Sequence, residues 1–153
     1  MRIRLLTRAD ISAVSQIDNA WDKTVFADCF SVDYYGWVLE LNWGVNTEIV
    51  GFIIILLHAS IHEAQLMNIA IHPDYQRRGL ASRLLQQAID FAKAKQIKQL
   101  LLEVRVSNSA AIEFYKKWGG KQIAVREGYY PSAQGREDAL IFSLFLEKPD
   151  CQP

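Results

Sequence analysis

Residues 67–85, MNIAIHPDYQRRGLASRLL, constrain this chain more than any other stretch. Apolar residues 67–71 read as a strand, His72-Pro73-Asp74 as a turn and QRRGLA at 76–81 as a loop. An amphipathic helix then begins with no linker. Strand, short loop and helix N-terminus in succession aim backbone N–H groups and the positive end of the helix dipole into the loop, a setting for an anion. Gly79 has no Cβ to hold a ligand away from the backbone. Arg77 and Arg78 add formal positive charge. The loop is neither a P-loop, which needs GxxxxGK followed by Ser or Thr, nor a GxGxxG dinucleotide fingerprint. Taken alone, it also fits an ordinary strand–turn–helix junction with surface arginines.

The stretch sits inside an alternation of strands and helices. Residues 2–6 read as a first strand. Ile11, Val14 and Ile17 then recur at helical spacing, with Thr7 or Asp10 as the cap. A short second helix is expected within residues 22–31, its aromatics serving the core or a groove wall. Strands at 34–41, 48–57 and 61–71, joined by turns at 42–46 and 58–60, make an antiparallel meander. Leu80, Leu84, Ala88, Phe91 and Ala92 mark one face of a helix over 78–95. The apolar run at 99–104 suits a central strand reached by a parallel crossover. Ser107-Asn108-Ser109 precede a helix over 110–118, which Gly119-Gly120 stop. Strands at 121–128 and 139–146 follow, with residues 129–135 between them as a loop. No repeat or linker interrupts the chain, so one α/β domain over residues 1–148 is expected, with a frayed tail at 149–153.

Charge and motifs narrow the function. Lys+Arg and Asp+Glu balance at 17 each, which argues against a strongly basic nucleic-acid surface, so any anion site is local. The opening residues lack a signal-peptide apolar region, and the longest apolar run, 52–57, is too short for a bilayer. A cytoplasmic protein with no nucleic-acid or membrane partner is the expectation. His58, His62 and His72 form no HxxxH or HExxH pattern, so no metal is expected. Cys29 and Cys151 have no metal-type spacing and read as reduced thiols. With no GxSxG motif and no identifiable His partner for Cys29, direct transfer fits better than a covalent enzyme intermediate.

Four places carry candidate chemistry. Glu103 sits near the end of a strand of leucines and valines, where burying a carboxylate is costly and partial desolvation would raise its pKa toward a general base's working range. A strand-end glutamate facing solvent is the equal alternative. Tyr115 lies three residues from Ile112 and four from Ala111, so it faces the protein body; it is a core residue or a proton donor to a leaving group. Asn108 is a helix N-cap, or its amide holds a ligand's amide group. Tyr129 and Tyr130 are adjacent aromatics on an expected loop edge, a pattern of contact surfaces. Arg136, Glu137 and Asp138 read first as a local charge cluster.

Three separated segments, NIAIHPDYQRRGLASRLL, LLEVRVSNSAAIEFYKKWG and GYYPSAQGREDALIFSL, together resemble the bacterial RimI-type enzymes of the GNAT acetyltransferase superfamily. The match is strong over residues 61–146 and holds only in layout before that. It implies the GNAT fold, a central mixed, mostly antiparallel sheet of about seven strands flanked by about four helices. It also implies acetyl transfer from acetyl-CoA to the N-terminal α-amine of a small-subunit ribosomal protein, so that acetyl-CoA and an N-terminal peptide are the partners. By the resemblance, the backbone of Ile69, Ala70 and Ile71 meets the pantetheine arm and the thioester carbonyl. Arg77, Arg78, Gly79, Leu80, Ala81 and Ser82 supply amides to the pyrophosphate, and Asn108 contacts CoA. Glu103 is the general base, directly or through water, and Tyr115 the general acid. Tyr129 and Tyr130 resemble the tyrosines that clamp a peptide acceptor. Transfer to a lysine or small-molecule amine, or a non-catalytic acyl-CoA-binding regulator, are the alternatives. Three positions depart from the pattern. Ala81 replaces a glycine, Gly120 stands where an aromatic is usual and is expected to loosen packing below Tyr115, and the segment at 20–35 lacks a proline before Trp21.

Overall fold

A computed structural model of the protein describes residues 1–18 and 21–146. The expected tail at 149–153 lies outside the described residues. The strands are β1 (Arg2–Leu5), β2 (Tyr34–Trp43), β3 (Asn46–His58), β4 (Glu63–Ile71), β5 (Gln99–Arg105), β6 (Lys121–Ser132) and β7 (Gly135–Phe145); the helices are α1 (Ile11–Ile17), α2 (Lys23–Asp28), α3 (Leu80–Ala94) and α4 (Ser109–Lys117). They form one seven-stranded sheet in the order β1-β2-β3-β4-β5-β7-β6. Every neighbouring pair is antiparallel except β4 and β5, the parallel pair joined through α3.

The sheet is covered on both faces, which explains the unbroken apolar run in β3. Ile53, Ile55 and Leu57 point into a core shared with Leu84, Leu85 and Ala88 of α3, and with Tyr115 of α4. Phe52 and Ile54 point the other way, against Val14 of α1 and Phe26 of α2. Asp22 starts α2, its Oδ1 accepting from the N–H groups of Thr24 (2.9 Å) and Val25 (3.0 Å). A short 3-10 turn, Arg8–Asp10, precedes α1, so the helix starts later than the spacing from Thr7 suggests. There Asp10 takes two hydrogen bonds from Arg4 (2.8 and 2.9 Å) and one from the Thr7 N–H (2.8 Å), which hold its buried carboxyl below the usual range.

Cys29 belongs to the second core and is buried. Desolvation pushes its thiol up to about 11. In a Cys151→Ser background we therefore expect Cys29 to react very slowly with iodoacetamide near about pH 8, because only the thiolate attacks. The rate should climb only as the pH nears that raised value; rapid labelling at neutral pH would show the site to be open.

Two expectations about the last hairpin change. Residues 129–132 are strand, because β6 pairs with β7 through Tyr130↔Glu137, Pro131↔Arg136 and Ser132↔Gly135. Pro131 is tolerated because β6 is an edge strand with no neighbour on its outer side. Arg136 also does not pair with its neighbours in sequence. It donates to the carbonyls of Gly128 and Tyr129, while Asp138 Oδ1 accepts from the Gly128 N–H (2.9 Å) and Glu137 accepts from the Ser107 hydroxyl (2.8 Å). Successive strand residues face opposite sides, which turns Glu137 away from Arg136 and Asp138; those two share a face, and each is bonded to Gly128.

Candidate active site

The site exists because β4 and β5 part. Their ladder holds only for Glu63↔Gln99, Ala64↔Leu100 and Gln65↔Leu101. Beyond it, the rest of β4 stays bonded to β3 while β5 stays bonded to β7, so a wedge opens within the sheet. A bulge in β4 shapes one wall: Ile54 opposes Asn68 and Ile55 opposes Leu66, leaving Met67 as the extra residue. The bulge shifts the alternation by one. Ala64, Leu66, Ile69 and Ile71 all face the α3 core, whereas Met67 and Ala70 face α1 and α2. Asn68 consequently reaches the end of α1, where its amide donates to Asp18 Oδ2 at 2.9 Å.

The wedge continues into a cleft of about 1120 Å³ lined by β4, the loop before α3, the end of β5 and α4. Ile69, Ala70 and Ile71 line it, as do Arg77, Gly79, Leu80, Ala81 and Ser82. The loop is held open by its backbone. Arg77 (φ 62°) and Gly79 (φ 75°) are both left-handed, and the space where a Gly79 Cβ would stand is empty to 4 Å. Gln76 ties the loop to the sheet, its Nε2 donating to the Ile71 carbonyl at 3.0 Å. Gly79 is followed by the fifteen-residue α3, so the N–H groups of its first turn face the loop without helical partners. Backbone N–H groups in this setting suit a phosphate-bearing ligand. The side chain of Arg78 turns away from this site. It is absent from the lining, and its guanidinium turns back over the Tyr75 ring (5.3 Å) and toward the Asp74 carbonyl (3.4 Å).

Tyr115 and Glu103 reach the cleft from opposite faces of the sheet. Tyr115 is 5% exposed and packs in the α3 core, and burial pushes its phenol well above the usual tyrosine range. Leu100, Leu102 and Val104 share that core. Glu103 alternates with them and so stands on the other face. Its side chain is 18% exposed and bonded to Arg126, Nη1 to Oε1 at 3.2 Å. Tyr130 lines the same part of the cleft; burial, and then the Glu103 carboxylate, raises its phenol. Tyr129 is not in the lining, but its ring stacks edge-on against Tyr130 with centroids 4.9 Å apart. Asn108 does line the cleft and also caps α4, its Oδ1 accepting from the Ala111 N–H at 3.2 Å.

Gly120 tightens the floor beneath Tyr115 rather than loosening it. The N–H of Gly120 donates to the Tyr115 carbonyl (2.8 Å) and that of Gly119 to Lys116 (3.0 Å), the paired bonds of a Schellman cap. A Cβ on Gly120 would lie 2.7 Å from the Tyr115 carbonyl oxygen. Gly120→Ala is therefore expected to destabilise the protein by about 1–2 kcal/mol in urea unfolding. Unchanged stability would mean that the helix end gives way freely.

Sequence reasoning missed Asp18, Asn68 and Arg126. Asp18 and Asn68 meet only through the β4 bulge, which no local pattern announces. Arg126 reaches Glu103 across an intervening strand. Among the described residues, no group of three His, Cys, Asp or Glu is arranged to hold a metal, and no helix is long and apolar enough to cross a membrane.

Comparison with known proteins agrees with this geometry. The profile of the acetyltransferase (GNAT) family matches residues 4–120. The [ribosomal protein bS18]-alanine N-acetyltransferase of Salmonella typhimurium is 37% identical over 147 residues, covering 93% of this chain and 95% of that protein. The Escherichia coli K12 enzyme of the same description is 35% identical over 147 residues, with the same coverage. The crystal structure of the ribosomal-protein-S18-alanine N-acetyltransferase from Escherichia coli superposes with a TM-score of 0.84 at 33% identity, covering 99% of this chain and 97% of that one.

Proposed function

The chain belongs to the acetyltransferase (GNAT) family, and from that premise we propose that it transfers the acetyl group of acetyl-CoA to the α-amine of an N-terminal alanine on a ribosomal protein. The observation that carries this reading is the wedge between β4 and β5. It puts the anion-binding loop and Tyr115 on one face of the sheet, and Glu103 with the tyrosine-bearing β6 on the other. Donor and acceptor can then enter from opposite faces and meet in the gap. Similarity to bS18-alanine acetyltransferases over nearly the full length, including the acceptor-side first third, supports a peptide acceptor.

The residues divide the work as follows. N–H groups of residues 77–82 hold the CoA pyrophosphate, and Asn108 supports the pantetheine arm beside them. The unpaired edge of β4 at Ile69, Ala70 and Ile71 binds the rest of that arm, and its N–H groups stabilise negative charge as it grows on the thioester oxygen. Glu103 accepts a proton from the incoming ammonium, directly or through one water. The freed amine lone pair forms the new C–N bond, the C–S bond breaks, Tyr115 gives its phenolic proton to the departing sulfur, and the second proton shed by the nitrogen passes through solvent to restore the phenol. That phenol is protonated at neutral pH, as an ordinary tyrosine is, and burial raises it further. Tyr130, braced by Tyr129, forms the wall against which the acceptor peptide lies.

This mechanism needs both substrates bound together. Initial rates measured against both concentrations should give intersecting lines, and fragmentation mass spectrometry should place the acetyl group on the terminal nitrogen. Parallel lines would require an acyl-enzyme and so contradict direct transfer.

A further inference from the structure

The ion pair of Arg126 with Glu103 belongs to a larger construction on the acceptor face. In register, β7 separates β5 from β6, with Arg105↔Ala139 on one side and Arg126↔Ala139 on the other. Ala139 carries only a methyl group, so the long side chain of Arg126 can pass over it and turn diagonally to Glu103, which is level with Ile141 of β7. Arg126 does so, and its guanidinium also lies over the Tyr129 ring, 5.2 Å from the centroid.

Tyr129 reaches that position because β6 is bulged. The register breaks between Arg126 and Tyr130, and Gly128 within the bulge is left-handed at φ 57°. The bulge is fastened from β7. Asp138 accepts from the Gly128 N–H, and Arg136 donates to the carbonyls of Gly128 and Tyr129. A second, parallel linkage stands beside it: Arg105 lies over Tyr130 at 4.3 Å and donates to the Pro131 carbonyl at 2.9 Å. A fastened bulge, an aromatic ring and a guanidinium thus lead in one chain to a single oxygen of the Glu103 carboxylate. Bulges next to active sites commonly re-aim side chains in this way.

We propose that Arg126 is a positioning residue for Glu103. It holds Oε1 so that Oε2 is presented to the acceptor nitrogen, and its seat on Tyr129 makes that orientation depend on the acceptor-side bulge. The proposal rests on Glu103 being the general base. An isolated, half-exposed ion pair contributes little to stability, so the consequence of this one is read in turnover.

The test is a double-mutant cycle of Arg126→Gln and Glu103→Gln, with Arg126→Lys as the conservative control. Turnover, peptide KM, acetyl-CoA affinity and Tm are measured for each variant. Arg126→Gln is expected to lower kcat about ten-fold through misorientation of the base, with acetyl-CoA affinity and Tm nearly unchanged. Arg126→Lys should recover most of that loss. In the Glu103→Gln background the Arg126 substitution should have almost no further effect, because the group it orients is already disabled. Equal losses in both backgrounds would show that Arg126 acts independently of Glu103 and overturn the proposal, as would wild-type kcat in Arg126→Gln. If Glu103→Gln alone turns over normally, the assignment of the base fails first and the proposal with it.

Discussion

Glu103→Gln is expected to lower kcat by about two to three orders of magnitude, the range removed with a positioned general base. That corresponds to about 3–4 kcal/mol of transition-state stabilisation. Glutamine keeps the size of the side chain and its capacity to accept a hydrogen bond from Arg126, but not its negative charge or its basicity. Glu103 lies on the face of β5 opposite the donor loop, so acetyl-CoA affinity should stay within about two-fold. Its side chain is partly exposed, and its ion-pair partner is a half-exposed arginine, so stability should change by less than about 1 kcal/mol. The limb of the pH–rate profile that reports the base should vanish. A variant with normal kcat and an unaltered profile would leave Glu103 as the Arg126 partner and nothing more.

Tyr115→Phe should carry the next largest loss, about a hundred-fold in kcat. Phenylalanine preserves the ring that packs against Phe114, with centroids 5.2 Å apart, and removes only the hydroxyl. The fold should therefore survive. The diagnostic is the leaving group. With an acetyl thioester of a more acidic thiol, the sulfur departs without needing a proton, so the defect should shrink toward wild type. A defect that persists with such a donor would mean that the hydroxyl serves binding or packing. Proton donation from Tyr115 would then be excluded.

Particular residues show how much of this was legible in the sequence. The strand, loop and helix at residues 67–85 were readable because each has a local signature: an apolar run, a glycine after two arginines, and helical spacing from Leu80. The capping of α4 by Asn108 and its termination at Gly119-Gly120 were likewise local. The β4 bulge at Met67 was hidden, since a two-residue alternation cannot reveal where it slips. The pairing of Asn68 with Asp18 depends on that slip. Pro131 and the nearby glycines give residues 129–132 the look of a loop, yet partner-strand residues Arg136 and Glu137 hold them in the sheet. Arg126 is one polar residue in an exposed edge strand, and its contact with Glu103 forms only once β7 joins their two strands in one sheet. Gly120 read as a missing aromatic; in three dimensions its lack of a side chain is what the cap beneath Tyr115 requires. For the β4 bulge and for Arg126, the missing information was a contact between distant parts of the chain.

The central claim is that the acceptor is a terminal α-amine held between Glu103 and the tyrosine-bearing β6. It is tested most directly by CoA release with two synthetic peptides of one sequence, the first with a free N-terminal alanine, the second blocked at its N-terminus and carrying a free lysine. Turnover of the first peptide and none of the second above the rate of acetyl-CoA hydrolysis is the predicted result. Release of CoA with the blocked peptide, and none with free alanine, would contradict it.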